Sequence, residues 1–101
     1  AALLAHGFQF GGIPFTVLVM SDADRTRNGN LGEAFGGVGG FCMVAARQGY
    51  VGPTVAHELG HLFGLDHQDG SFMAAQLELN NRIVTPAQRE TIRQTAEKYG
   101  G

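Results

Sequence analysis

The apolar positions of this chain change rhythm near Gly52, coming in short runs broken by glycine before it and at helical spacing after it. Phe15 to Met20, "FTVLVM", is continuously apolar and rich in β-branched residues, which predicts a central strand buried on both faces. The opening "AALLAHGF" reads as the tail of an alanine-rich helix, which Gly11, Gly12 and Pro14 would interrupt. Ser21 to Asn30, "SDADRTRNGN", is polar and carries an Asn-Gly turn signal, so it predicts an exposed loop. "EAFGGVGG" and "FCMVAA" predict two further short strands separated by glycines.

Downstream, Pro53 fits a first helical position, and "TVAHELGHLF" runs without a breaker to Gly64, a left-handed C-terminal stop. Leu59, Leu62, Phe63 and Leu65 form the core-facing side of this helix and the turn after it. A last helix starts at "TPAQ", with Thr85 as N-cap, Pro86 in the first turn and Gln88 completing a capping box, and runs to about Tyr99. Ile92, Ala96 and Tyr99 make its apolar stripe, while Arg93 and Glu97 lie toward solvent. Strands followed by helices give an α+β domain. No repeat or linker divides the chain, so residues 1–101 read as a single domain.

At 101 residues, the chain buries roughly 65% of its unfolded surface, a modest core. Seven basic and nine acidic residues leave no polycationic surface, which argues against nucleic acid and anionic membranes as partners. The longest apolar run, Ile13 to Met20, contains Pro14 and is far short of a membrane span. The single cysteine, Cys42, lies in an apolar strand and reads as a small core residue, with a fourth metal ligand or a partner for a cysteine outside this sequence as the alternatives. No targeting segment opens the chain at Ala1, so the sequence is expected to be a mature domain or a fragment.

One stretch changes the picture. "HELGHLFGLDH", residues 57–67, carries three histidines, a glutamate and a glycine at fixed offsets. On a helix, His57 and His61 share a face one turn apart and can aim imidazole nitrogens at one point. Gly64 lets the chain leave the helix sharply, so that His67 can return to the same point as a third ligand. Three histidines leave one tetrahedral position of zinc open, the arrangement of a catalytic site. Glu58 stands where it can reach a water in that position without ligating the metal. Any one histidine on an apolar helix is more often a structural residue than a ligand. Five specified residues at these offsets, however, arise by chance at a given start with a probability on the order of one in ten million.

This stretch resembles the elongated zinc motif of the metzincin metallopeptidases, HExxHxxGxxH, and "SFMA" downstream is similar to their Met-turn. The resemblance implies His57, His61 and His67 as ligands of one catalytic zinc ion, Glu58 as general base, Gly64 as the turn glycine and Met73 as the methionine under the metal. It also implies a small metzincin-like catalytic domain: a short, mostly parallel sheet with an antiparallel edge strand, an active-site helix and a C-terminal helix. The upper subdomain would span about residues 1–64. The lower one, 65–101, would hold the third ligand, the Met-turn and the last helix. The implied activity is zinc-dependent endopeptidase, acting as a secreted or extracytoplasmic monomer on peptide or protein substrates held along an exposed strand edge. Glu33 to Gly40 is the candidate edge, with a plain glycine-rich turn as the alternative. The alternatives on function are a weak or inactive zinc-binding module that binds peptides, and a fragment of a larger metallopeptidase.

The chain departs from the family pattern in detail. Gln68 follows the third histidine where the branches carry aspartate, serine, glutamate or proline, which leaves the branch open between a minimal or truncated adamalysin-like member and a bacterial matrixin-like one. Met73 comes six residues after His67, and no tyrosine closely follows it. "DRTRNG" imitates the first half of a calcium loop through Asp24, Thr26, Asn28 and Gly29, but its twelfth position is Phe35, so a plain polar turn is preferred over calcium. His6 has no partner at ligand spacing.

Overall fold

In the computed structural model, which describes residues 3–10, 13–37 and 39–100, the chain opens with two strands, β1 (Leu3–Phe10) and β2 (Ile13–Met20). They pair antiparallel in a register running from Leu3 opposite Met20 to Phe10 opposite Ile13. The helix tail expected at the start is therefore a strand. Every residue of β1 gains a partner on β2, and that ladder outweighs a helix preference worth only tenths of a kcal/mol per residue. Gly11, Gly12 and the side chain of His6 lie outside what is described.

The expected exposed loop is replaced in its first half by a short helix, α1 (Asp22–Arg25), continued by a 3-10 turn at Thr26–Asn28. Ser21 caps α1, its hydroxyl accepting from the Asp24 amide at 3.3 Å, and Asp22 and Asp24 suit the positive end of a helix. The Asn-Gly signal is realised at Gly29, whose φ of 84° ends the turn.

Two more strands follow, β3 (Gly32–Phe35) and β4 (Phe41–Ala45), as the glycine-punctuated pattern predicts. The sheet order is β1-β2-β4-β3, with β2 and β4 parallel and both outer pairs antiparallel. The expectation of a mostly parallel sheet is thereby corrected to a mixed one. The links from β1 to β2 and from β3 to β4 are far too short for a crossover, and a hairpin link leaves only antiparallel pairing. Phe15 to Met20 is an inner strand, as expected, but only its Phe15 and Val17 face is buried while Thr16 and Leu18 on the other face stay half-buried, and antiparallel strands stand at both edges, β1 and β3.

The second long element, α2 (Val51–Leu62), begins two residues before Pro53, which sits in the first helical turn, where its missing N–H breaks no helical bond. Phe15 and Val17 of β2 and Cys42 and Val44 of β4 form one sheet face, which packs with Leu62 and Phe63 into the core. The rings of Phe15 and Phe63 lie 5.2 Å apart. Helix α3 (Pro86–Gly100) closes this layer with Ile92 and Ala96, and the side chain of Tyr99 lies outside what is described. Its capping box is complete, with the Thr85 amide donating to Gln88 Oε1 at 2.9 Å and the Gln88 amide to Thr85 Oγ1 at 3.1 Å. The result is a small α+β domain in which no described helix is long and apolar enough to cross a membrane.

Candidate metal centre

The end of α2 explains how the three histidines meet. Gly64 adopts a φ of 92°, the Leu65 amide donates back to the Gly60 carbonyl at 2.9 Å, and the Gly64 amide donates to the His61 carbonyl at 2.9 Å. This pair of bonds is the Schellman closure, which reverses the chain over its own last turn. The reversal carries His67 back to the helix. The ligand atoms of His57, His61 and His67 all lie within 4.8 Å of one another, and this is the only group of three or more potential ligands among the described residues. The ring centroids are 4.8 to 5.3 Å apart.

Backbone carbonyls fix two of the rings. His57 Nδ1 lies 3.1 Å from the Phe72 carbonyl, and His61 Nδ1 lies 2.8 Å from the Leu65 carbonyl. A carbonyl only accepts, so each Nδ1 carries a proton, which leaves Nε2 as the ring atom available to ligate a metal. Burial pushes the His57 pKa below the ordinary range, with the neighbouring His61 and His67 adding to that and the Phe72 carbonyl opposing it, so the neutral, ligating form is favoured. Three converging imidazoles, two of them oriented from behind by carbonyls, fit the chemistry of a divalent zinc ion.

Residues 68–73 form a tight turn under this group. The Gln68 amide donates to the Met73 carbonyl at 2.8 Å, which closes the turn and accounts for the short step from His67 to Met73. Met73 is fully buried against α2 at Gly60, between the two helical histidines, where a Cβ would collide with its sulfur. The glycine that weakens the helix by propensity is thus the space that admits the methionine.

Glu58 is buried at 7% exposure, and burial pushes its pKa up to about 7, with Arg25 and His67 pulling it down and Glu33 adding to the rise. It lines a cleft of about 780 Å³ together with the three histidines, Gly32 to Ala34 of β3 and residues 75–77. The open edge of β3 therefore forms one wall of the cleft. The sequence-predicted edge, Glu33 to Gly40, divides in two. Glu33 to Phe35 is strand, while Gly36, Gly37 and Gly39 take positive φ and make the turn to β4.

Arg25 stands behind this wall at 6% exposure, with Nη2 2.7 Å from Glu33 Oε1 in an ion pair that lies off the line of a hydrogen bond. The calcium-like segment is otherwise engaged, Asp24 with Arg27 at 3.0 Å and Asn28 with Glu33. Cys42 lies in the core at 0% exposure, apart from the ligand group, as the core reading has it.

Sequence reasoning passed over Gly32, Gly60, Ser71, Gln88 and Arg25 as members of the site. Gly60, an unfavourable residue inside a helix, carries a local signal, and Gln88 carries one only for the helix cap. No family model, curated protein or solved structure matches this chain, so its functional reading rests on the residues and geometry of the site itself.

Proposed function

We propose that this protein is a zinc-dependent endopeptidase of metzincin type, with His57, His61 and His67 holding the metal and Glu58 acting as general base and then general acid. The observation that carries the reading is the convergence of three imidazoles, two with Nδ1 facing a backbone carbonyl, beside a buried carboxylate in a cleft walled by a strand edge. When bound there, zinc supplies Lewis acidity, lowering the pKa of water toward about 7 and stabilising negative charge.

The chain's own residues do the rest. The Glu58 carboxylate takes a proton from the attacking water and returns it to the nitrogen of the leaving amine. Its low exposure keeps bulk water from competing for that proton. β3 pairs with β4 on one side only, so its other edge can hold an extended peptide by main-chain hydrogen bonds across the cleft mouth. An extended, unstructured chain is the substrate form that such an edge accepts.

The test measures zinc content and casein cleavage for the wild type and for Glu58→Ala. Zinc is retained in both, and turnover falls by about 10² to 10⁴ in the variant. Equal cleavage by the two proteins would remove Glu58 from the mechanism, and zinc binding without cleavage in the wild type would leave a peptide-binding module.

A further inference from the structure

The capping box of α3 does more than start a helix. Capping needs only Gln88 Oε1 to accept from the Thr85 amide, a task that glutamate performs equally well. Gln88 also uses its other end. It is 3% exposed, and Nε2 donates to Ser71 Oγ at 2.8 Å across 17 residues of sequence.

Ser71 is itself 1% exposed and saturated. Its hydroxyl donates to the Gln68 carbonyl at 2.7 Å and accepts from the Met73 amide at 3.1 Å as well as from Gln88. One donor and two acceptor sites are all that a hydroxyl has. These bonds grip the residue after His67 on one side and Met73 on the other. Between them lies Phe72, whose carbonyl faces His57 Nδ1 at 3.1 Å. The Phe72 amide is held in turn by the Ile83 carbonyl at 2.8 Å.

We infer that Ser71 and Gln88 are positioning residues of the metal centre: through their mutual hydrogen bond α3 fixes the 68–73 turn, and with it the carbonyl that orients His57. The inference rests on the proposed metal site. It adds that the affinity of that site depends on a side-chain bond reaching from the C-terminal helix. A hydrogen bond to the far nitrogen of a ligating histidine governs ring orientation and basicity, so a turn that is free to rotate loosens the ligand without removing it.

Zinc affinity is measured by competition with a chromophoric chelator for the wild type, Ser71→Ala, Gln88→Glu and Thr85→Ala. Gln88→Glu keeps the capping acceptor and loses the amide donor to Ser71. Thr85→Ala weakens the cap and leaves the Ser71 bond in place. Ser71→Ala and Gln88→Glu bind zinc about tenfold more weakly and change the d–d spectrum of the cobalt-substituted protein, whereas Thr85→Ala lowers the melting temperature but keeps wild-type affinity and spectrum. Circular dichroism of the metal-free proteins establishes which variants are folded, and Gln88→Met, similar in length and without a donor, replaces any of the first two that is not.

A wild type that takes up no zinc would overturn the metal site and this inference with it. A wild type that binds zinc no better than the folded Ser71 and Gln88 variants would overturn this inference alone. So would a loss of affinity in Thr85→Ala equal to theirs, because helix stability would then account for the effect.

Discussion

Gly32 and Glu58 are in contact across the interface of β3 and α2: a Cβ built on Gly32 would lie 2.9 Å from Glu58 Cγ and 3.0 Å from its Oε2. Thr54 Cγ2, one turn earlier on α2, would stand 2.7 Å away, so the methyl group would crowd both side chains of that helix face. Gly32 does not take a positive φ. What the position demands is the absence of a side chain, because the strand wall passes directly over the carboxylate.

Gly32→Ala is therefore expected to displace Glu58 while leaving the histidines in place. A misplacement of about 1 Å in a reacting group can cost on the order of 10²-fold in rate, and a loss of that size in casein cleavage at unchanged zinc content is the expected result. Full activity in a folded, zinc-loaded Gly32→Ala protein would mean that Glu58 is not held by this contact.

Gly60 sets two effects against each other. Alanine there improves helix propensity by about 1 kcal/mol. Its Cβ would also meet the Met73 sulfur at less than van der Waals distance, with Met73 Cε at 3.1 Å and Phe72 Cε2 at 3.2 Å. Met73 is at 0% exposure and cannot swing into solvent, so overpacking, which costs about 1–3 kcal/mol, outweighs the gain. Gly60→Ala should unfold at lower urea concentration than the wild type. A higher midpoint would show that the methionine repacks freely.

These two glycines mark the boundary of what the sequence discloses. The motif at 57–67, the Gly64 stop and the Thr85–Gln88 box are legible because their partners lie within one or two helical turns. Each residue type there carries its own local reason. Gly32, Ser71 and Arg25 are silent in the sequence because their roles come from partners brought together by folding. Arg25 illustrates this: in a polar decapeptide it reads as solvated, yet the ion pair with Glu33 holds it at 6% exposure behind the cleft wall. The strand β1 departs from its local preference for a related reason, since alanine and leucine favour helix locally and only pairing with β2 reverses that preference.

Cys42 offers a test of the core. Burial pushes its thiol pKa up to about 11, with Glu58 adding to the rise, and its side chain is at 0% exposure. Thiolate is the reactive form, so both access and ionisation oppose reaction at pH 8. Ellman's reagent should label the folded protein slowly, at a rate limited by unfolding, and the denatured protein within the mixing time. Rapid labelling of the folded protein would show that the sheet and α2 do not enclose this position.

The buried carboxylate of Glu58 should be visible in the stability of the metal-free protein. Its pKa rises from an ordinary 4.5 to about 7, chiefly because burial disfavours the charged form. A folded-state pKa above the unfolded value means that the folded chain binds the proton more tightly. The contribution of Glu58 is thus fully present below about pH 4.5, falls as the pH rises toward 7, and is lost above that. At most the change is on the order of 3 kcal/mol. Glu58→Gln keeps the shape and has no charge to desolvate. Subtracting its urea-unfolding free energy from that of the wild type also cancels the terms common to both. The difference should move against the wild type between pH 4.5 and 7 and then level off. A difference independent of pH over that window would mean that the carboxylate is solvated in the folded chain, and Glu58 would lose the water-excluding environment that suits it to proton transfer.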